Sequence, residues 1–321
     1  MHPEPDDRPR LGISACLLGD QVRFDGGHKR DPFLTDTLSP HVCWVRVCPE
    51  VEVGMGTPRE TLRLERREGC AIRMVTTRTG IDHTDAMSAW ARGRLTELER
   101  EHLSGYVLKK DSPSCGMEKV KVFGASGTPQ RTGRGVFAEA LMRWFPNLPV
   151  EDEGRLSDPG RRENFIERVF AYQRLRRFFA GRWTVAGLVA FHTSHKMALL
   201  SHSTAGYREL GRLVASAKAM PRARLRAEYE SRFMQTLTLI ATSSRHANVL
   251  MHMAGHLKKR LDSPSRQELL TTIDEYRRGL VPLVVPLTLL RHHARQRDVV
   301  DLLGQTYLEP HPKELMLRNR V

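Results

Sequence analysis

Three short runs of apolar and β-branched residues in the first half of the chain predict buried β-strands. Each is bounded by turn residues, and they are LGISA at residues 11–15, VCWVRV at 42–47 and GYVL at 105–108. Residues 83–102 instead carry apolar side chains three and four positions apart, and residues 135–145 repeat this helical spacing up to Pro146. The alternation predicts an α/β domain over residues 1–150, with a mostly parallel sheet and flanking helices.

The pattern changes after residue 146, where the sequence PNLPVEDEGRLSDPG is rich in proline and acidic residues. We interpret residues 151–162 as a linker. Beyond it, apolar residues recur at helical spacing with no strand pattern, over residues 164–179, 184–190, 195–217, 223–243 and 247–261. Residues 163–321 are therefore predicted to form a second, mainly α-helical domain, organised as a bundle.

Composition narrows the class of protein. Forty per cent of the residues are hydrophobic and 27% are charged, which is ordinary for a globular chain and excludes collagen-like or wholly disordered proteins. No apolar run approaches the ~18 residues of a membrane-spanning helix, and the first ten residues lack the apolar core of a signal peptide. Five scattered cysteines do not form a secreted disulfide framework. We expect a cytoplasmic protein with no obligate protein partner.

The net charge of +14 is unevenly distributed. Residues 1–160 hold 23 Lys and Arg against 24 Asp and Glu, a net of −1, whereas residues 161–321 hold 28 against 13, a net of +15. An excess confined to one half indicates a polyanionic partner, most commonly a nucleic acid. The alternative is a helical domain with a solvated, arginine-rich surface.

Three cysteines each follow a predicted strand: Cys16 after the first, Cys48 after the second and Cys115 after the third. The carboxyl ends of parallel strands meet at one crevice, so these thiols are expected to converge there. The absence of a CxxC pair disfavours a zinc finger, whereas three cysteines on an iron–sulfur cluster would leave one iron open for substrate. The alternative is that each is an ordinary buried cysteine. That simpler interpretation suits Cys43 and Cys70.

Polar residues beside these cysteines are candidates for catalysis and substrate binding. Glu50 follows Cys48 by two positions, where a carboxylate can serve as general acid or base, or can cap a helix. Ser112 precedes Cys115 by three positions and either faces the same pocket or caps the turn at Pro113. Candidate substrate contacts are Lys110 and, in the glycine-rich loop VRFDGGHK, Arg23, Asp25, His28 and Lys29, although that loop alone is equally typical of a simple turn.

The motifs ISACLLGDQVRFDGGHK, VCPEVEVGMGTPRE and KKDSPSCG resemble those of the TudS-like thiouracil desulfidase family over residues 9–150. The second half, with LVAFHTSHKMALLSHS and HANVLMHMAGHLKK, resembles the YbgA-like helical domain. The fusion is similar to the RudS-like family, bacterial desulfidases that act on 4-thiouridine in tRNA. Phe24 stands where that family commonly has tyrosine.

The resemblance implies a [4Fe–4S] cluster bound by Cys16, Cys48 and Cys115, with Glu50 and Ser112 as catalytic residues. Thiocarbonyl sulfur would bind the open iron, water would add at the ring carbon, and a [4Fe–5S] intermediate would release hydrogen sulfide. The implied net reaction is non-redox hydrolysis of 4-thiouridine in tRNA to uridine.

The basic second half then has a role in binding tRNA phosphates. The candidate contacts are Lys196, Arg208, Arg212, Lys258, Lys259 and Arg260, each of which is equally compatible with a solvated helix surface. His192 and His195, and likewise His252 and His256, share helix faces. They lack the glutamate of an HExxH motif, so packing or RNA contact is favoured over metal binding.

Two other functions remain open from the sequence. One keeps the chemistry but acts on free thiouracil or thiouridine nucleotides. The other is a non-catalytic RNA-binding protein whose cysteines hold a sensory metal.

Overall fold

The parallel sheet predicted for the amino-terminal domain is present in the computed structural model, which describes residues 7–66, 71–124 and 128–320. The chain divides into two units between Asp158 and Pro159. The strands of the first unit are β1 (Arg10–Ser14), β2 (Cys43–Val47), β3 (Leu62–Glu65), β4 (Arg73–Thr76), β5 (Gly105–Leu108), β6 (Val120–Phe123), β7 (Pro129–Gly133) and β8 (Val150–Asp152). Its α-helices are α1 (Pro49–Glu52), α2 (Thr84–Arg100) and α3 (Val136–Trp144).

The first sheet has the strand order β2-β1-β5-β8, and all three pairings are parallel. The three strands expected from the sequence are thus confirmed to within one residue at each end. Gly12 of β1 lies opposite Tyr106 of β5, and a Cβ at this position would lie 2.1 Å from the Tyr106 ring. Glycine therefore lets a large, fully buried aromatic ring cover the centre of the sheet.

Helix α2 confirms the helix expected over residues 83–102. It buries Met87, Ala91, Leu95 and Leu98, which lie three or four residues apart on one face. Helix α3 likewise confirms the helix expected over residues 135–145, and its Phe137 packs against Trp90 of α2 with ring centroids 5.5 Å apart. The two helices cover the sheet because their apolar faces match its buried surface.

A second sheet, with the order β4-β3-β6-β7, is absent from the sequence-based prediction. Its pairings are antiparallel except for β3 with β6. These strands are short and rich in charged residues, and β7 (PQRTG) buries only its final glycine. Such strands lack the apolar runs by which buried strands are detected.

The predicted linker over residues 151–162 requires correction. Its beginning completes β8, where Glu151 and Asp152 are buried, and its end opens the first helix of the second unit at Pro159. Acidic residues are tolerated in this strand because Arg155 lies 2.7 Å from the Glu151 carboxylate and donates its backbone N–H to Asp152. Proline at a helix start is favourable, so Pro159 marked a helix rather than a loop.

The second unit is helical throughout its regular elements, as predicted. Its helices are α4 (Pro159–Ala180), α5 (Val185–Ser194), α6 (Lys196–His202), α7 (Thr204–Ala215), α8 (Arg222–Leu237), α9 (Ser243–Leu257), α10 (Ser263–Arg277), α11 (Val284–Gln296) and α12 (Val300–Leu303). The continuous helix expected over 195–217 is broken at Ser203, which leaves the helical conformation and caps α7 by accepting the Gly206 N–H. No helix among the described residues has the length and hydropathy needed to cross a membrane.

A buried cluster of charged residues lies within this helical unit. The Glu167 carboxylate is within 3.5 Å of the His202 ring and within 3.8 Å of the Arg318 guanidinium. Burial acts to raise the pKa of the Glu167 carboxyl, but these positive neighbours hold it well below its usual range. Arg318 also binds Glu163 at 3.2 Å. The charges are therefore mutually compensated inside the core.

Candidate active site

Cys16, Cys48 and Cys115 line a single cavity of about 380 Å³. Cys16 lies in a single helical turn, Ala15–Leu18, that directly follows β1. Cys48 directly follows β2, and Cys115 lies in the loop that follows β5. These three strands are adjacent and parallel, so their carboxyl ends open on the same edge of the sheet. The convergence expected from the sequence is present.

The thiols lie in an environment that is apolar but has cations at its border. Burial raises the pKa of the Cys16 thiol to about 11, a negative charge on Cys48 would raise it further, and Lys109 and Arg23 act to lower it. Burial likewise raises the pKa values of Cys48 and Cys115. Protonated thiols are favoured in this cavity unless a positively charged partner stabilises the thiolates.

Glu50 lies in the first turn of α1, at the lip of the same cavity. One of its carboxylate oxygens accepts from the Arg59 guanidinium, whose Nε lies 2.9 Å away, and the other accepts from the Ser114 hydroxyl at 2.7 Å. The side chain of Arg59 is 7% exposed and that of Glu50 is 15% exposed. The carboxylate is thus fixed in orientation by two donors while it still reaches the cavity.

Two serines in the Cys115 loop form a hydrogen-bonded chain that ends at Glu50. The Ser112 and Ser114 hydroxyl oxygens are 2.9 Å apart. Because Ser114 donates its one hydroxyl proton to Glu50, Ser112 is the donor to Ser114. Ser112 also accepts the backbone N–H of Cys115 at 3.1 Å, so it shapes the loop that carries this thiol.

Arg59 and Ser114 are site residues that sequence reasoning missed. Ser114 lies between two positions already singled out, in the motif DSPSCG, and its spacing gives no reason to prefer it over Ser112. Arg59 is the second-to-last residue of the motif VCPEVEVGMGTPRE, nine residues beyond Glu50. A buried carboxylate requires a cationic partner, and a search for one in the adjacent motif would have found this arginine.

Of the predicted substrate contacts, Arg23, Lys29 and Lys110 line the cavity. Asp25 and His28 do not, and both have local structural roles: Asp25 accepts the Gly27 N–H at 3.0 Å, and His28 accepts the Arg30 N–H at 3.2 Å. Each of these two side chains stabilises the turn within its own loop. Their position outside the cavity does not support the prediction that they contact the substrate.

Phe24 and Lys109 also border the cavity. Phe24 is 37% exposed, and the Arg23 guanidinium lies 5.2 Å from its ring centroid. An exposed aromatic ring at the mouth of a cavity offers a face on which a planar base can stack. Lys109 is held in an ion pair with Glu153.

Over residues 7–66, 71–124 and 128–320, no three His, Cys, Asp or Glu side chains come close enough together to hold one metal ion. Cys43 is half-buried in β2 and does not line the cavity, whereas Cys70 lies outside the described residues.

Two of the four second-unit histidines considered in the sequence are packing residues. His192 bonds the Tyr229 hydroxyl at 3.2 Å and stacks on Tyr207, and His195 bonds the Phe191 carbonyl at 2.8 Å. Burial lowers the pKa of His195 to about 3, with a further contribution from the Arg174 charge. Both are neutral members of an aromatic core.

His252 and His256 instead lie exposed on α9, with ring centroids 5.4 Å apart. Lys196 is close enough to His252 to lower the pKa of that ring, in addition to the larger effect of burial. The other predicted phosphate contacts are exposed on helices or in the turn after α9: Arg208, Arg212, Lys258, Lys259 and Arg260.

Two family models match the chain in succession. Residues 11–153 match the family described as 2-thiouracil desulfurase. Residues 196–312 match a family described as a protein of unknown function, DUF1722. The first match contains every residue of the cavity, and the second lies wholly within the helical unit.

Individual relatives resemble one half each. The uncharacterized protein YbgA of Escherichia coli (strain K12) is 35% identical over 158 residues, which are 49% of this chain and 94% of YbgA. The uncharacterized protein YbbK of Bacillus subtilis (strain 168) is 29% identical over 150 residues, which are 46% of this chain and 97% of YbbK. A solved structure of the [4Fe-4S]-dependent thiouracil desulfidase TudS is 29% identical and covers 47% of this chain and 95% of its own, with a TM-score of 0.38.

The match to nearly the whole length of YbgA assigns the second half of the sequence, and residues 11–153 ahead of it match the 2-thiouracil desulfurase model. The chain therefore belongs to the YbgA family.

Proposed function

We propose that this protein is an iron–sulfur-dependent desulfidase that removes sulfur from 4-thiouridine in tRNA. The observation that carries the proposal is the cavity at the edge of the parallel sheet, where three cysteines face a glutamate held by Arg59 and Ser114. The family description of this domain supports the desulfidase chemistry.

The donor set fits an iron–sulfur cluster. Three thiols from separate loops provide soft sulfur ligands, and Lys109 and Arg23 favour the anionic form of Cys16. In a cluster each thiolate binds a different iron, so the three sulfurs need not converge on a single ion. Because burial raises the pKa values of these thiols, their thiolate forms need a positively charged partner. The irons of the cluster would be that partner.

When bound by three cysteines, such a cluster supplies an open iron that polarises the thiocarbonyl as a Lewis acid. The chain's own residues then bind the base and move protons. Phe24 provides a stacking face at the mouth of the cavity, and Arg23 and Lys29 provide hydrogen-bond donors there. In the balanced reaction, the C=S group and one water give a C=O group and hydrogen sulfide.

Glu50 is the residue best positioned to accept the proton of the attacking water. Its carboxylate oxygens are fixed by Arg59 and Ser114, and the Ser112 hydroxyl extends the hydrogen-bonded chain along the cavity wall. Because the Ser112 and Ser114 hydroxyls both donate toward Glu50, a proton can pass through them to the carboxylate, and it can return to the departing sulfur along the same chain once both hydroxyls rotate. This path gives Ser112 a relay role as well as a structural one.

The choice of tRNA over free bases is supported by charge. The second half of the chain carries a net charge of +15, which a small neutral base would not require. The exposed Lys258 and Lys259 and the half-buried Lys196, in and after its helices, are suited to phosphate contacts. The target nucleotide would leave its stack to enter the cavity, as in other enzymes that act on bases.

The test is a desulfuration assay with anaerobically reconstituted protein and tRNA that contains 4-thiouridine. We expect several turnovers per cluster, measured as loss of 4-thiouridine and gain of uridine after digestion to nucleosides. Activity on free thiouracil or thiouridine nucleotides but not on tRNA would overturn the tRNA assignment.

Glu50→Gln separates an enzyme from a metal sensor. The amide keeps the shape of the carboxylate but cannot accept a proton, so we expect turnover to fall about 10²–10⁴-fold while cluster absorbance persists. An unchanged rate would contradict the catalytic assignment. Glu99→Gln, at an exposed carboxylate of α2 that does not line the cavity, is the matched control.

A further inference from the structure

A second depression lies on the amino-terminal unit, outside the cysteine cavity. It is a shallow groove of about 850 Å³ between α2, α3, strand β7 and the loop that precedes β6. We call it the α2–α3 groove and define it by its cationic and aromatic lining: Arg92, Lys119, Arg131, Arg134, Arg143 and Trp144. The proposed mechanism uses none of these residues.

The charge of the groove is positive although its unit is not. Two of its arginines are neutralised, Arg131 by Asp111 at 3.0 Å and Arg143 by Glu139 at 3.0 Å. Arg92, Lys119 and Arg134 are exposed, and among the residues that the structure describes no carboxylate forms an ion pair with them. Three uncompensated cations are thus concentrated on one face of a half-chain whose net charge is −1.

The groove adjoins the cysteine cavity. Asp111 lines the cavity and binds Arg131, which lines the groove. The Cys115 loop also supports the start of α3, because the Ser114 carbonyl accepts the Ala138 N–H at 3.1 Å. The loop that holds Cys115 thus contributes residues to both depressions, Asp111 to the cavity and Lys119 to the groove.

An aromatic side chain lies at the far end of the groove. Trp144 ends α3 and is 42% exposed, which is unusual for so large an apolar ring. It lies eight residues from Val136, about 12 Å along the helix at ~1.5 Å per residue.

We propose that the α2–α3 groove binds the polynucleotide strand that flanks the target nucleotide. Arg92, Lys119 and Arg134 contact phosphates, and Trp144 stacks on a base. Cations that track a backbone beside an exposed aromatic ring are what single-stranded nucleic acid requires. The inference rests on the proposed function, and it adds that the catalytic unit itself, besides the basic helical unit, selects a polymer over a free base.

The test compares tRNA binding by three forms of the full-length protein. In the groove variant, Arg92→Gln and Lys119→Gln remove two uncompensated charges. In the control variant, Arg78→Gln and Arg100→Gln remove two exposed charges of the same unit that do not line the groove. Binding of labelled tRNA is followed by fluorescence anisotropy at several salt concentrations, and thermal unfolding checks that each variant is folded.

We expect the groove variant to bind tRNA about tenfold more weakly. The slope of log K against log salt should become shallower by about 1.4, because each lost contact with a single strand accounts for ~0.7. The control variant should match the wild type in slope. Equal slopes for the groove variant and the wild type would overturn the inference.

Trp144→Ala provides a test that does not depend on charge. Loss of one stacked base should weaken binding about fivefold without a change in salt slope, and Trp144→Phe should restore most of it. If Trp144→Ala binds tRNA with wild-type affinity, Trp144 does not stack on a base. Failure of the proposed function is distinguishable, because wild-type protein would then neither bind nor desulfurate tRNA.

Discussion

Glu50 in the amino-terminal unit and Glu167 in the carboxy-terminal unit are both carboxylates paired with arginine, but their surroundings differ. Glu50 reaches a cavity and shares its second oxygen with a serine hydroxyl. Glu167 is enclosed by His202 and Arg318 and is 4% exposed. A carboxylate at the edge of a parallel sheet remains accessible to a ligand. A carboxylate inside a helical core instead neutralises the positive side chains that surround it.

The same contrast holds for the other ionisable residues of the two units. Three thiols of the first unit line the cavity, where burial raises their pKa values. In the second unit, His195 and His246 are buried, His311 is half-buried, and all three are neutral. We therefore expect substitutions in the first set to change chemistry and substitutions in the second to change stability.

The largest expected effect follows replacement of any one of the three cavity cysteines by alanine. Loss of a ligand should remove the cluster and lower activity by more than the ~10–100-fold that follows loss of an outer-shell partner. Iron content, visible absorbance and turnover would measure the effect. Cys43→Ala is the matched control, since Cys43 lies in β2 away from the cavity, and it should keep both cluster and activity.

Glu167→Gln should affect stability instead. It leaves the positive charge of Arg318 partly uncompensated in the core, a change that typically costs about 3–5 kcal/mol of unfolding free energy. Chemical denaturation would measure this. Glu228→Gln, at a half-exposed carboxylate that pairs with Arg224 and Arg232 on the surface of α8, should change stability much less. A stable Glu167→Gln protein that has lost turnover would contradict the division of roles.

These two predictions depend on sites that the sequence revealed to different degrees. Cys16, Cys48 and Cys115 were predictable because strand ends are visible as apolar runs, and parallel strands bring their ends together. The partnership of Glu167 with Arg318 was not, because it joins residues 151 positions apart through helix packing that leaves no periodic signal. Arg59 and Ser114 lie between these cases, near a recognised motif but without a distinctive spacing.

The fold shows the same limit. Buried strands such as β1 and β5 were predicted because they are almost wholly apolar, whereas β7 was missed because one of its five residues is buried. Helices α10 and α11 were also missed, and prolines lie at the second position of α10 and the third of α11. Proline is compatible with the first turn of a helix, so these residues marked helix starts rather than loops.

The buried histidines predict how stability depends on pH. Burial lowers the pKa of His195 to about 3, so between that value and the ~6.5 of an unfolded histidine the unfolded state binds the extra proton. Stability therefore falls as pH decreases below about 6.5, by up to ~1.4 kcal/mol per pH unit for this group. Denaturation at pH 7.5 and 5.5 would measure the loss.

His195→Asn sharpens this test. The amide can still donate to the Phe191 carbonyl but cannot take up a proton in this range, so the difference in stability between pH 7.5 and 5.5 should shrink. His246 and His311 would contribute the remaining dependence, because burial lowers their pKa values to about 3 and about 4. A pH dependence unaltered by His195→Asn would mean that His195 is protonated in the folded protein.

The smallest effect distinguishes the two serines of the Cys115 loop. Ser114 donates directly to Glu50, so Ser114→Ala removes one orienting hydrogen bond, worth about 1 kcal/mol or roughly a fivefold loss of turnover. Ser112→Ala removes the relay and also the support of the Cys115 backbone N–H, so it should lower both turnover and cluster retention. Measuring turnover per bound cluster separates the two contributions. If Ser112→Ala lowers turnover per cluster while Ser114→Ala does not, protons bypass Ser114, and Ser112 acts on the substrate directly.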